Sequence, residues 1–208
     1  MKLSAAVAAT ALVTGLLTVG VATPALAAPA PAPARVRTAA VSAAADTVSE
    51  SQWLADVGTA VAPARAYLQQ YLADPTADNP AIVLDIDNTS LETYFHPITE
   101  PAVPQVLDLV TYAHEHGIAV FFVTARPDFI RSVTLFSLLN AGYPVDGLYG
   151  RDLGDLFESV QDFKTDQRIA IENQGYTIIA NIGNNVTDLE GGHAQADFKL
   201  PDYNGLLS

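Results

Sequence analysis

Two aspartates, Asp85 and Asp87, follow directly on the short apolar run Ala81-Ile82-Val83-Leu84. Alternate residues of an extended chain point the same way, so both carboxylates face one side. Carboxylates that close repel each other unless a cation lies between them or one takes a proton. The pair therefore suits a nucleophile beside a proton donor, held by a hard cation such as Mg²⁺. Two further apolar runs end in polar groups. Residues 120–123 lead into Thr124-Ala125-Arg126-Pro127-Asp128, just ahead of a predicted helix. A hydroxyl and free backbone N–H groups at a helix start would suit a phosphate oxygen. Taken alone, Thr124 reads more simply as a turn residue. Residues 177–182 lead into Gly183-Asn184-Asn185-Val186-Thr187-Asp188, a second supply of oxygen ligands. Lys164 stands just ahead of a predicted helix. A lone Lys reads as a solvated surface charge, but the chain has only 10 Lys and Arg, which gives a cation at this edge more weight.

These groups need elements to position them. Trp53, Leu54, Val57, Val61, Ala64, Leu68, Tyr71 and Leu72 recur at helical spacing, with Pro63 expected to kink or split the run. Residues 81–84, 118–123 and 177–182 predict buried strands, and residues 148–149 and 197–200 shorter ones. Val103, Val106, Leu107, Val110 and Ala113 make one helix face. Phe129, Val133, Phe136 and Leu139 make another, and residues 166–174 a further helix ended by Gly175. Strands that are apolar throughout, alternating with helices, predict a parallel sheet covered on both faces. That is a three-layer, Rossmann-like α/β domain. Ligands of such sheets bind beyond the carboxyl ends of the strands, where the polar residues above fall.

Composition narrows the functions. With 23 Asp and Glu the formal net charge is −13, which argues against non-specific nucleic-acid binding and against docking on anionic membranes. The absence of Cys excludes disulfides, thiolate metal sites and cysteine nucleophiles. Residues 1–27 read as a secretory signal, with Lys2, an apolar stretch over residues 5–21 and the small-x-small site Ala25-Leu26-Ala27. The stretch is Ala-rich, short and followed by Pro, which favours cleavage over membrane anchoring. Residues 28–46 form an Ala/Pro-rich linker and residues 47–208 the folded domain. The expected product is secreted, with no stable membrane association after signal cleavage.

Four stretches in this order resemble the haloacid dehalogenase-like (HAD) phosphohydrolases: Val83-Leu84-Asp85-Ile86-Asp87-Asn88-Thr89, Val123-Thr124-Ala125-Arg126-Pro127, Phe163-Lys164 and Gly183-Asn184-Asn185-Val186-Thr187-Asp188. More narrowly they resemble the secreted acid phosphatases of the class B and plant-type branch. Ala141-Gly142-Tyr143, Gly175-Tyr176, Asp188-Leu189-Glu190-Gly191-Gly192 and Phe198-Lys199-Leu200-Pro201 extend the likeness over residues 53–201. The resemblance implies that Asp85 is the nucleophile and that Asp87 protonates the leaving group and then activates water. It also implies that Thr124 binds the transferring phosphoryl group and that Lys164 neutralises charge around it. Mg²⁺ is the implied cofactor, at a site of Asp85, the Asp87 backbone carbonyl, Asn184 and Asp188, the last holding Lys164 or a metal-bound water. Asn184 stands where the family usually carries Asp, so the site loses one negative charge.

No long insertion separates the motifs. The resemblance therefore implies no large cap domain, an open site and broad specificity for small phosphomonoesters. Thr93-Tyr94-Phe95-His96-Pro97 is expected at the pocket rim, with His96 either touching substrate or packing at the core edge. His114, His116 and His193 are expected at the surface. Two other readings stand beside this one. A non-catalytic secreted relative could keep the fold for storage or for ligand or metal binding, with Asn184 as its support. A receiver-like phospho-acceptor domain shares the acidic cluster, the Thr and the Lys, but the order Asp-x-Asp-x-Thr and the signal speak against it.

Overall fold

Runs of branched and aromatic side chains make the strands, because these residues suit a pleated, buried surface. The computed structural model describes residues 48–207; the expected signal (residues 1–27) and linker (residues 28–46) lie outside the described residues. Strands β1 (Pro80–Leu84), β2 (Ala119–Pro127), β3 (Gly147–Arg151), β4 (Thr177–Gly183) and β5 (Asp197–Lys199) form one parallel sheet in the order β3-β2-β1-β4-β5. Leu84 pairs with Phe122 on one side and Ile182 on the other, so β1 and β4 end nearly level while β2 runs on beyond them.

The period of two divides the core. Ile82, Leu84, Val120 and Phe122 pack on one face of the sheet, where α1 (Glu50–Ala73) and α2 (Pro104–Glu115) contribute Trp53, Val57, Leu68, Val106 and Val110. Ala81, Val83, Phe121 and Val123 pack on the other. Between β2 and β3 lies α3 (Arg131–Asn140), and α4 (Val160–Asn173) covers the second face through Phe163 and Ile171. A single turn, α5 (Val186–Leu189), follows β4. The predicted three-layer α/β architecture is the observed one. Among the described residues no helix is long and apolar enough to cross a membrane.

Four local expectations need correction. Pro63 neither splits nor ends α1, which is one helix of 24 residues. Its buried stripe of Trp53, Val57, Val61, Ala64, Leu68 and Tyr71 holds both halves on the same core and outweighs the missing hydrogen bond. Helix α4 begins six residues before the predicted start, because Ser159 caps it by accepting from Asp162 N at 3.0 Å. Lys164 therefore lies within the helix, not ahead of it. Strand β2 runs on to Pro127 and is followed by a 3₁₀ turn (Asp128–Ile130), so no α-helix starts beside Thr124. The apolar face Phe129, Val133, Phe136 and Leu139 points to solvent, with Phe136 67% exposed, while Thr134 and Leu138 are the buried residues of α3. This helix flanks the edge strand β3 and is covered on only a narrow stripe.

A buried strand residue and an outward helix residue differ in what they stabilise. Ile82 is fully buried in the central strand, so Ile82→Ala is expected to lower stability by about 3–4 kcal/mol. Phe136→Ala is expected to stay within about 0.5 kcal/mol of wild type. Urea unfolding of the two variants measures both, and equal losses would contradict the outward orientation of α3.

Candidate active site

The ends of β1 and β4 meet where the strand order turns back, the place where open parallel sheets bind ligands. A cleft of about 520 Å³ opens there, lined by Asp85, Asp87, Lys164, Asn184 and Asp188, with Thr93 and Tyr94 on its rim. Main-chain bonds fix the first aspartate: Asp85 N donates to the Ile182 carbonyl at 3.0 Å, and Ser90 Oγ donates to the Asp85 carbonyl at 2.7 Å. Lys164 Nζ donates to Asp85 Oδ1 at 2.6 Å and to Asp188 Oδ1 at 2.5 Å. All three side chains are buried.

Burial drives the electrostatics of this trio. Loss of solvent pushes Asp85 up, Lys164 pulls it down, and the charges of Asp188 and Asp87 push it up again, leaving it raised to about 7. For Lys164, burial favours the neutral amine, but the two carboxylates outweigh it and hold the ammonium form. A cation beside Asp85 would favour its carboxylate form and complete the charge balance.

The loop after β4 is held from several sides. Asn185 N donates to Asp188 Oδ2 at 2.8 Å within the capping box of α5. Arg168, one turn beyond Lys164 on α4, donates to the carbonyls of Asp188 at 2.7 Å, Gly192 at 2.8 Å and Glu190. Asn181 Nδ2 donates to the Asp188 carbonyl at 2.9 Å. A Cβ on residue 183 would overlap the Asp188 side chain, so only glycine lets that carboxylate approach.

Asp87 has a different partner. Arg126 grips it with two parallel bonds, Nε to Oδ2 at 2.9 Å and Nη2 to Oδ1 at 2.7 Å, and also donates to Glu100 Oε1 at 2.9 Å. Neither Arg126 nor Glu100 had a predicted role. Arg126 stood inside a quoted motif, where its bidentate geometry has no sequence signature. Glu100 lies in a loop with positive φ and gave no signal. Thr124 is buried; its Oγ1 accepts from Arg126 N at 3.1 Å, and its neighbour Ala125 lines the cleft instead. The structure thus brings Asp85, Asp87, Lys164, Asn184 and Asp188 into one cleft and places Thr124 outside its lining.

Asn184 is built into the fold as an amide. Its Nδ2 donates to the Leu207 carbonyl at 2.8 Å, which also accepts from Asn88 Nδ2 at 2.9 Å. Thr89 Oγ1 donates to Asn184 Oδ1 at 3.3 Å and accepts from Asn184 N at 3.0 Å. The donor set suits Mg²⁺, being hard oxygen throughout: Asp85 Oδ2, the Asp87 carbonyl and Asn184 Oδ1. The carboxylate oxygens of Asp87 are taken by Arg126, and those of Asp188 by Lys164 and Asn185 N. Asp188 thus acts here as the anchor of Lys164.

A parallel sheet of this order, with a buried Asp–Lys–Asp trio at its turning point, is a HAD-type fold. The family model for HAD superfamily, subfamily IIIB (Acid phosphatase) matches residues 95–206. The chain belongs to that family. The matched segment contains Thr124, Lys164, Asn184 and Asp188 and begins after Asp85 and Asp87. Acid phosphatase 1 of Solanum lycopersicum is 30% identical over 118 residues, 56% of this chain and 46% of that protein, so the chain spans about half the length of this relative. The class C acid phosphatase of Bacillus anthracis superposes with a TM-score of 0.57 at 20% identity, covering 69% of this chain and 67% of that one. A chain of the Pnkp1/Rnl/Hen1 complex superposes with a TM-score of 0.53 at 17% identity, over 62% of this chain and 49% of that one. These likenesses support the fold assignment.

The amide at residue 184 has a measurable consequence. Asn184→Asp replaces a donor by a carboxylate facing the Leu207 carbonyl, so it is expected to lower stability in a chelating buffer by about 1–3 kcal/mol. Thermal unfolding with and without Mg²⁺ checks this. Unchanged stability in the chelator would contradict the role given to the Leu207 contact.

Proposed function

We propose that this protein is an exported, Mg²⁺-dependent phosphomonoesterase that works through an aspartyl-phosphate on Asp85. The observation that carries the reading is the buried bridge from Lys164 to Asp85 and Asp188 at the mouth of a solvent-open cleft. A buried ammonium fixes one oxygen of Asp85, and among the described residues no protein donor takes the other. That second oxygen, Oδ2, is open to the metal, and Oδ1, held in place by the ammonium, is the one that attacks phosphorus. When bound, Mg²⁺ would offset charge on the phosphoryl oxygens and on Asp85.

In the first step an Asp85 oxygen forms a bond to phosphorus while the ester P–O bond breaks. The leaving alkoxide takes a proton from Asp87. In the second step Asp87 takes a proton from water, the water oxygen attacks phosphorus, and the Asp85–phosphorus bond breaks to release phosphate and the free carboxylate. Asp87 begins and ends protonated, so the cycle closes. Lys164 stays charged throughout and compensates the developing negative charge. Arg126 fixes where the two oxygens of Asp87 sit and so aims the proton. Thr124, outside the cleft lining, supports the strand end that carries Ala125 by accepting from Arg126 N. The rim of Thr93 and Tyr94 leaves the cleft open, which supports broad specificity for small phosphomonoesters. Export rests on the reading of residues 1–27 as a signal, with residues 28–46 as linker.

Phosphate release from p-nitrophenyl phosphate, with Mg²⁺ and with a chelator, tests the proposal directly. The expected result is turnover that the chelator removes and Asp85→Asn abolishes while leaving the fold intact. Activity in a folded Asp85→Asn protein would overturn the mechanism. Storage or binding without catalysis would show as no turnover in the wild type.

The proton donor can be tested separately. Asp87→Asn and Arg126→Ala are both expected to slow alkyl phosphates about tenfold or more beyond their effect on p-nitrophenyl phosphate, because a good leaving group needs no proton. Equal losses for both substrate types would contradict the role of Asp87 and the aiming role of Arg126.

A further inference from the structure

A second group of ligating side chains lies outside the cleft lining, where the first turn of α1 meets the loop after β1. Glu50, Glu92 and His96 each place one ligating atom within 4.8 Å of the others. His96 Nε2 is 3.2 Å from Glu50 Oε1 and 3.9 Å from Glu92 Oε2. The loop geometry is set by the backbone: Glu92 N donates to the Pro101 carbonyl and His96 N to the Glu92 carbonyl, both at 2.9 Å. That turn puts Glu92 and His96 on the same side.

Glu92 is the telling residue. It is 4% exposed, and its Oε2 is buried with no hydrogen-bond donor. Among the described residues the other buried carboxylates, Asp85 and Asp188, are satisfied by Lys164, and the rim carboxylates Asp87 and Glu100 by Arg126. Among the described residues Glu92 has neither a Lys nor an Arg partner; its polar neighbours are the imidazole of His96 and the carboxylate of Glu50, which brings no positive charge. A buried carboxylate oxygen left so is costly, and a cation would satisfy it. Burial and the neighbouring Glu50 both raise the pKa of Glu92, as expected of a carboxylate short of positive charge. Glu50 and His96 are partly exposed, which gives an ion a path in.

We infer that Glu50, Glu92 and His96 bind a divalent transition cation of the Zn²⁺ type. One imidazole and two carboxylates suit Zn²⁺ better than Mg²⁺, which prefers oxygen alone. Bonds of about 2.0–2.1 Å to a tetrahedral ion put ligand atoms about 3.3 Å apart, so small side-chain rotations close the site. The fourth position falls to water. The ion fastens the start of α1 to the loop that carries Thr93 and Tyr94 of the cleft rim. Trp53 and Phe95, with ring centroids 5.3 Å apart, already join the same two elements.

The test uses the full chain, freed of metal and then held in saturating Mg²⁺ to occupy the oxygen-only site. Zn²⁺ is titrated by calorimetry, and Co²⁺ by the fluorescence of Trp53, the chain's one Trp, which lies one turn beyond Glu50. The expected result is one Zn²⁺ per chain and quenching of Trp53 by Co²⁺. In Glu92→Gln and in His96→Ala, affinity is expected to fall at least tenfold and the quenching to disappear. His96 is partly exposed, so its variant keeps the fold even where the buried one does not. No Zn²⁺ binding in the wild type, or the same affinity and quenching in a folded His96→Ala protein, would overturn the assignment. Neither readout needs turnover, so the result stands apart from that of the phosphatase assay.

Discussion

Two buried carboxylates facing each other across the end of a sheet would drive it apart, and a single ammonium prevents this. Lys164 stands 2.6 Å from Asp85 and 2.5 Å from Asp188, out of contact with bulk water. Removing one partner from such a group leaves a buried charge without compensation, at a cost of about 3–5 kcal/mol. The trio therefore constrains everything around it. Helix α4 must start early enough to place Lys164 within it, residue 183 must lack a Cβ, and the loop after β4 must hold Asp188 in place. Arg168 meets the last requirement by spending its donors on three carbonyls of that loop.

The same constraint separates the two aspartates of the first motif. Asp85 is committed to the buried ammonium, while Asp87, two residues on, is gripped by Arg126 at the rim. The first carboxylate is buried beside the ammonium, as the proposed nucleophile requires, and the second stands half-exposed at the rim, as the proposed proton donor requires. The amide at residue 184 belongs to a third set of contacts, tying the ends of β1 and β4 to the carbonyl of Leu207 near the C-terminus. Two strand ends and the segment at Leu207 meet there, and the cleft opens beside them.

Much of this was legible in the sequence. Asp85, Asp87, Asn184 and Asp188 were readable because apolar runs end in polar residues, and the sheet order then brings those ends together. The buried stripe of α1 and the strand cores followed from periodicity alone. Arg126, Glu100 and Arg168 were not legible, because a bidentate grip or a carbonyl clamp depends on distances across the fold and leaves no spacing in the chain. The start of α4 was misplaced because it is set by the hydroxyl of Ser159, and the polar stretch Lys164-Thr165-Asp166-Gln167 separates Phe163 from the apolar residues further on. The outward face of α3 shows the converse: residues 129–139 have a helical apolar stripe, but periodicity says nothing about whether a partner surface lies against it.

The central claim is that Asp85 carries the phosphoryl group. Rapid acid quench during turnover of p-nitrophenyl phosphate, followed by borohydride reduction and peptide mapping, tests it directly, since reduction turns an aspartyl-phosphate into homoserine. The expected result is homoserine at position 85 and nowhere else. Labelling of a different residue, or turnover with no trapped intermediate under conditions where phosphate is being released, would contradict it.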